Sequence, residues 1–459
     1  VGKFNRRINN YIVPNNVGDQ HIRDLHELGH LPIVILALPE GTEYPIGVPC
    51  AVIYDTDGRF GWLTNYLETI FSTSVWGICT SATTAHQYKK LLLNAAKETV
   101  GDTSFVPWQG HDFSFRGMFG MEAACMSGAG HLFSFTGTDT IPAIDFLEEY
   151  YNADCEKEIV GGSVAATEHS VMCAGGADNE IGTFRRLIHD VYPTGIVSIV
   201  SDTWDYWNTI TNIARELKGE IMGRDGKVVF RPDTGDPVRV VVGYKWFDAS
   251  NWKRKEFSID QDWQEKFKKS GIEYVYFNDG KVYDANTAEE TDLTLPELKG
   301  SIQCLWEIFG GKVNDLGFKE LDPHVGLIYG DSITLERATQ ICEGLKAKGF
   351  ASTNVVFGIG SYTYQYVTRD TDGYAVKATY AKIAGKEIEI FKSPKGAAFK
   401  KSAKGLTAVF KDENGEFYLK DQATWEEVLN CEFVKVFENG KLLKDYTLQE
   451  VRDNLAQYV

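Results

Sequence analysis

The sharpest chemical signal in this sequence is RPDTGDP at 231–237, where Arg231 and Asp233 stand two residues apart just past the apolar run KVVF. Arg231 offers a planar fork for a carbonyl, carboxylate or phosphate. Asp233 can accept hydrogen bonds from sugar hydroxyls or stabilise positive charge developing on a sugar carbon. An internal Arg–Asp ion pair beside a turn would use the same two residues. His169 in GGSVAATEHSV, with Glu168 beside it, is a second candidate. A lone histidine is more often a packing or surface residue. Here, however, Asp139 (FTGTDT) and Asp202 (VSDTWD) also close apolar runs, and a carboxylate near an imidazole orients it and fixes its tautomer. Such a histidine serves as a base, a phosphate ligand or a phosphoryl acceptor.

Two further clusters are glycine-rich. YGDS supplies Gly330 and Asp331, and GIGS supplies Gly360 and Ser361. Glycine turns let a backbone approach an anion closely, although ordinary turns look the same and no P-loop motif occurs. Arg369 and Lys377 follow and would add positive charge. Lys392, Lys400, Lys401 and Lys404 form a second basic group, by default a solvated loop. HDFSFRGM (111–118) places Phe113 and Arg116 on an extended segment, suited to stacking on an aromatic ring with a phosphate nearby, or simply to a core Phe and a surface Arg.

The elements that must position these residues follow from one recurrence. Apolar runs ending in Asp, Gly or Arg appear at 131–140, 195–205, 227–237, 325–332 and 354–361, separated by helical stretches. Short buried strands alternating with helices imply parallel β/α units. The C-terminal ends of such strands share one mouth, where barrels build their sites and often hold phosphate. We therefore expect an α/β chain with a barrel over 108–372, interrupted by an insertion at about 240–300. Residues 1–107 and 373–459 would combine into a mixed-sheet domain. Within these parts, LPIVILALPEG and GVPCAVIYDT read as strands, 61–98 as helix, and FNDGKVY and ENG (438–440) as hairpin turns. Asp202 or Thr203 would cap the helix after 201, and Gly349 would close the helix over 334–349.

Bulk composition narrows the function classes. Hydrophobic residues make up 43% and charged residues 24% of the chain, as in a soluble globular protein. A net charge of −17 disfavours broad nucleic-acid or membrane-surface roles, so an anionic substrate needs local Arg and Lys. No apolar run is long enough to span a bilayer. The eight cysteines form no C-x-x-C pair, which fits reduced thiols in a cytoplasm.

Taken together, HDFSFRG, FTGTDT, AATEHS, VSDTWD, FRPDTGDP, YGDS, FGIGS with VTRD, and FKSPKG occur in an order that closely resembles the nicotinamide phosphoribosyltransferases of the type II phosphoribosyltransferase family. The resemblance runs from about Leu31 to the C-terminus, and WLTNYLETI (62–70) adds a match outside the site. It implies an irregular (β/α)-barrel of the type II kind beside the mixed-sheet domain. It also implies transfer of phosphoribosyl from phosphoribosyl pyrophosphate to nicotinamide, with Mg²⁺ and with ATP as a coupling substrate. By resemblance, Phe113 walls the nicotinamide slot and Asp139 accepts from the carboxamide nitrogen. Arg231 touches the carboxamide oxygen or the phosphoribosyl group. Asp233 and Asp331 hold ribose hydroxyls. Arg116, Gly330, Gly360, Arg369 and Lys377 hold phosphates, with Ser361 standing where a further glycine is expected. His169, supported by Glu168 and Asp202, is the residue that ATP phosphorylates. Lys392 and Lys400 reach a neighbouring protomer, so a homodimer is expected. The family's N-terminal Asp-Ser-Tyr-Lys segment, whose Tyr forms the other ring wall, is expected to precede Val1. The rival readings are a nicotinate phosphoribosyltransferase, whose carboxylate substrate Asp139 would repel, and a non-catalytic nucleotide-binding barrel, which would have lost one of His169, Asp233 or Arg231.

Overall fold

The computed structural model describes residues 1–11, 18–249, 274–285, 287–330, 332–392 and 402–459. The chain divides into two units, one made of Val1–Thr80, Phe146–Glu156 and Val367–Val459, the other of Ser81–Asp145 and Lys157–Tyr366.

The second unit is built on seven parallel strands: β1 (Gly110–Asp112), β2 (Gly137–Thr138), β3 (Ala165–Ala166), β4 (Thr194–Val200), β5 (Asp225–Arg231), β6 (Val325–Tyr329) and β7 (Val355–Ile359). Their order is β2-β1-β7-β6-β5-β4-β3. The two edges meet through a parallel bridge between Gly137 and Gly162, so the sheet curls into an irregular barrel. Thr138 N–H donates to Gly162 O at 2.9 Å and Gly162 N–H to Thr136 O at 2.8 Å. The continuous apolar runs of the sequence become these strands because both faces of a parallel sheet are covered. Val197, Ile199, Val228, Phe230, Val355, Phe357 and Ile359 are fully buried, packed with Phe184, Ile210, Leu305 and Ile341.

Four helices of this unit bear on the site: α1 (Met121–Leu132), α2 (His169–Gly175), α3 (Leu335–Ala347) and α4 (Ser361–Gln365). Helix α3 starts on Thr334, whose side chain accepts from Arg337 N–H, and it stops at Lys348. Gly349 follows at φ 74°, the left-handed residue anticipated there.

The excursion between β5 and β6 leaves at Gly243 and returns at Gly300. A Cβ on Gly243 would lie 2.3 Å from Leu298 O, and one on Gly300 would lie 2.4 Å from Gly243 N. Both glycines have positive φ, 77° and 78°. Lys348 Nζ closes this neck by donating to the carbonyls of Val242, Leu298 and Lys299, and burial pushes its ammonium down to about 8. Within the excursion Tyr274–Asn278 and Lys281–Asp284 pair as a hairpin turning at Asp279-Gly280, as FNDGKVY implies.

In the first unit, Ala51–Asp55, Ile33–Ala37, Val434–Glu438 and Lys441–Leu442 form one antiparallel sheet, so the two ends of the chain do combine. Asn439 and Gly440 both carry positive φ, 48° and 82°, as the ENG turn requires. Val34, Leu36, Ala408 and Val428 pack under it. The long helix expected near 61–98 spans Leu63–Thr99. Among the described residues no helix is long and apolar enough to cross a membrane.

Candidate active site

Strand ends on the carboxyl side of the barrel open on a cavity of 530 Å³ lined by Phe113, Arg116, Asp139, Glu168, Arg231, Asp233 and Gly330, together with Phe115, Met118, Gly120 and Met121. A contiguous space of 300 Å³ shares Phe113, Arg116, Asp233 and Gly330 and adds Gly360 and Ser361. The volume suits a small organic ligand. One end is aromatic and the other is glycine-rich and polar.

Arg231, the last residue of β5, is only 4% exposed. Its Nη2 donates to Thr167 O at 2.7 Å, and its guanidinium sits 5.9 Å from the Phe113 ring centre. Glu168 and Asp233 lie at 3.8 and 3.9 Å, too far for tight pairing. Its Nε is buried without a hydrogen-bond partner among the described residues. A buried guanidinium N–H left without a partner is costly, and the same side chain lines the cavity. Gly330 makes room for its neighbour: a Cβ there would lie 2.0 Å from Asp233 Oδ1. Gly358 does the same for Phe113, whose Cδ2 would be 2.7 Å from a Cβ.

Asp139 follows β2, its backbone N–H donating to Asp112 O at 2.9 Å. Its Oδ1 accepts from His111 Nε2 at 2.8 Å and from Ser163 Oγ at 2.6 Å. Burial works to raise its pKa. The hydrogen bond and charge of His111, the Ser163 hydroxyl and the field of Arg231 outweigh burial and hold the carboxyl below its usual range. Asp139 is therefore an ionised acceptor at neutral pH.

His169 opens α2, and its Nε2 lies 3.2 Å from Asp202 Oδ1. The Asp202 side chain is 3% exposed and is anchored through Oδ2, which accepts from the backbone N–H groups of Asp233 (2.9 Å) and Thr234 (2.7 Å). Hydrogen bonds to a carboxylate are among the stronger ones, so the carboxylate is fixed and the imidazole is oriented by it. The sequence expectation that Asp202 or Thr203 caps a helix does not hold. Asp205 is the cap, accepting from Asn208 N–H at 3.0 Å, because Asp202 is drawn to the β5 turn.

His131 of α1 is completely buried. Its Nε2 meets Gly137 O at 3.0 Å and its Nδ1 meets Tyr364 OH at 2.7 Å. A carbonyl only accepts, so Nε2 carries the proton and Nδ1 accepts from the tyrosine. Burial lowers the imidazole pKa from 6.5 to about 4, keeping it neutral.

The structure thus brings Phe113, Arg116, Asp139, Glu168, Arg231, Asp233, Gly330, Gly360 and Ser361 to one place, with His169 and Asp202 tied to the Asp233 turn. Arg116 lies on a 3₁₀ turn, Phe115–Gly117, rather than on an extended segment, because the Asp112 carboxylate accepts from Ser114 N–H at 2.9 Å and bends the chain. Arg369 pairs with Asp370 at 3.0 Å in the first unit, to which Lys377 and Lys392 also belong. Asp331 and Lys400 lie outside the described residues. Sequence reading missed His111 and Ser163. Period-two alternation could have found His111, which shares a face with Phe113 two residues on, their ring centres 4.6 Å apart. Ser163 carries no comparable signal.

Residues 108–430 match the nicotinate phosphoribosyltransferase (NAPRTase) family. A nicotinamide phosphoribosyltransferase of Acinetobacter baylyi is 45% identical over 464 residues, covering 100% of this chain and 82% of that protein. One from Xanthomonas campestris pv. campestris is 31% identical over 434 residues, covering 92% and 79%. A crystal structure of a nicotinate-nucleotide pyrophosphorylase from Pyrococcus furiosus superposes with a TM-score of 0.49 at 15% identity, covering 95% of this chain and 83% of that one.

Proposed function

This chain belongs to the nicotinate phosphoribosyltransferase family, and from that premise we propose that it transfers phosphoribosyl from phosphoribosyl pyrophosphate to nicotinamide, yielding nicotinamide mononucleotide and pyrophosphate for NAD salvage. One observation carries the choice of an amide. Beside the Phe113 face, the cavity lining combines an ionised acceptor, Asp139, with the Arg231 guanidinium, whose Nε has no hydrogen-bond partner among the described residues. A carboxamide presents one donor group and one acceptor and satisfies both. A carboxylate presents acceptors only and would set its charge against Asp139. The curated relatives from A. baylyi and X. campestris bear the nicotinamide name.

In the reaction the pyridine nitrogen forms a bond to ribose C1 while the bond from C1 to pyrophosphate oxygen breaks. Positive charge then develops at C1, where the Asp233 carboxylate stabilises it. Phe113 fixes the tilt of the ring toward C1. Asp233 and Asp331 are assigned to the ribose hydroxyls. Arg116, the Gly330 turn and the Gly360–Ser361 turn are assigned to phosphate oxygens, aided by Arg369 and Lys377. Lys392 and Lys400 are assigned to a neighbouring protomer's phosphate site in a homodimer. Among the described residues no group of three or more His, Cys, Asp or Glu could hold a metal ion. Mg²⁺ is commonly held by one or two carboxylates plus substrate phosphates, and bound here it would neutralise pyrophosphate charge. Asp233, one of the carboxylates lining the cavity, would hold it. ATP coupling runs through His169. With Nε2 engaged by Asp202, Nδ1 is left to accept the γ-phosphoryl group, forming an N–P bond as ADP departs.

The test is turnover by the purified protein with phosphoribosyl pyrophosphate and Mg²⁺, offered nicotinamide or nicotinic acid, with and without ATP. Nicotinamide mononucleotide should form preferentially and faster with ATP. Exclusive use of nicotinic acid would overturn the amide assignment.

A further inference from the structure

Asp139 presents its two oxygens unequally. Oδ1 takes two hydrogen bonds, from His111 Nε2 at 2.8 Å and Ser163 Oγ at 2.6 Å, while Oδ2 takes none among the described residues. An ionised carboxylate cannot donate, so His111 Nε2 must carry a proton. The imidazole itself is confined on two sides. Its ring packs against Phe113, with 4.6 Å between ring centres. Across the β1–β2 ladder His111 faces Gly137, and a Cβ there would lie 2.8 Å from His111 Nδ1, so only glycine leaves room for the ring. The His111 side chain is 10% exposed, against 41% for Asp139. The residue with the freedom to move is the aspartate, and the one that is fixed is the histidine.

We propose that His111 is a positioning residue for substrate selection: with Ser163 it pins Oδ1 of Asp139, so that Oδ2 alone faces the ligand as a single, aimed acceptor for an amide N–H. This inference rests on the amide assignment above and deepens it. A carboxylate free to rotate would share its lone pairs between His111, Ser163 and the ligand. Pinned, it discriminates a donor from an acceptor at one point in space. His111 does this without touching the reacting atoms, and its packing on Phe113 ties the amide reader to the ring wall. Loss of His111 therefore weakens nicotinamide binding and selection, while the step at C1 is spared.

The experiment compares specificity constants for nicotinamide and nicotinic acid in wild type, His111→Phe, His111→Gln and Ser163→Ala, with thermal unfolding of each as a folding control. His111→Phe keeps a ring against Phe113 but removes the donor. It should lower the nicotinamide constant about tenfold or more, chiefly through KM, and narrow the nicotinamide-to-nicotinate ratio. His111→Gln can still donate to Oδ1 and should stay within about threefold of wild type. Ser163→Ala, on an exposed side chain, should shift the ratio in the same direction by a smaller factor. An unchanged ratio in folded His111→Phe overturns the inference, as does a His111→Gln loss as large as the Phe loss. Should His111→Phe not fold, an unchanged ratio in Ser163→Ala overturns it. The two levels separate cleanly. If wild type does not use nicotinamide, the amide reading itself falls. If wild type does, and Asp139→Ser moves the ratio while the His111 and Ser163 variants do not, only the positioning role falls.

Discussion

Replacing His131 by glutamine should flatten the acid end of the stability profile, because the folded chain refuses a proton that the unfolded chain accepts. Inside the fold the imidazole titrates at about 4, against an ordinary 6.5. As pH falls below about 6.5 the unfolded state binds a proton at this position and the native state does not, so stability is lost until the folded value is reached. Between about pH 7.5 and pH 5 that difference comes to about 2 kcal/mol, from 1.36 kcal/mol for each pKa unit. Glutamine does not titrate. The variant loses some stability at every pH, since Tyr364 OH loses its imidazole acceptor, but that loss is constant. Urea unfolding of both proteins at the two pH values isolates the titration: wild type should lose about 2 kcal/mol more than the variant on acidification. Equal losses would mean that His131 protonates within the fold. The chain of bonds from Tyr364 through His131 to Gly137 would then carry a different proton from the one deduced here.

Three other perturbations probe the cavity. Asp139→Ser removes the charge facing the ligand, and the nicotinamide-to-nicotinate ratio of specificity constants should move by more than about tenfold; an unchanged ratio would remove Asp139 from selection. With γ-labelled ATP, an acid-labile, base-stable label should appear on the wild-type protein and vanish in His169→Ala; a label that persists places the phosphoryl acceptor elsewhere. Gly330→Ala puts a Cβ 2.0 Å from Asp233 Oδ1, so the carboxylate must move. Turnover should fall by about tenfold or more with little change in thermal unfolding, whereas wild-type turnover would show that the Asp233 position is not critical.

How much of this was legible in the sequence depends on what each feature needs. The strands β4 to β7 could be read because burial on both faces demands unbroken apolar runs such as GIVSIV and NVVFGI. The short strands β1 to β3, of two or three residues, leave no such run: the apolar HLFSF expected to be a strand before Asp139 is instead the end of α1 and a turn, and β2 is only Gly137–Thr138. Arg231, Asp233 and Gly330 were visible because a functional role and a turn both favour those types. His111 was hidden because a strand histidine beside Asp112 looks like ordinary packing until the ladder sets it over Gly137. The capping error at Asp202 has the same origin. Local rules favour Asp at a helix start, but two backbone N–H groups from a turn 31 and 32 residues on compete for the same carboxylate and win. Long-range partners of that kind have no sequence signature.

The neck at Gly243 and Gly300 has a consequence for how this barrel could be rebuilt. The outgoing and returning backbones touch there and Lys348 ties them, so the two ends of the excursion are held together at the neck itself. Loop length enters closure entropy only logarithmically, about 0.6 kcal/mol for each doubling. The junction therefore works as a grafting port. The excursion could be trimmed to a tight turn, or exchanged for another segment whose ends lie equally close, with the cavity-bearing strand ends left as they are. The two glycines are the part that cannot be exchanged, since each holds a left-handed backbone with no room for a side chain.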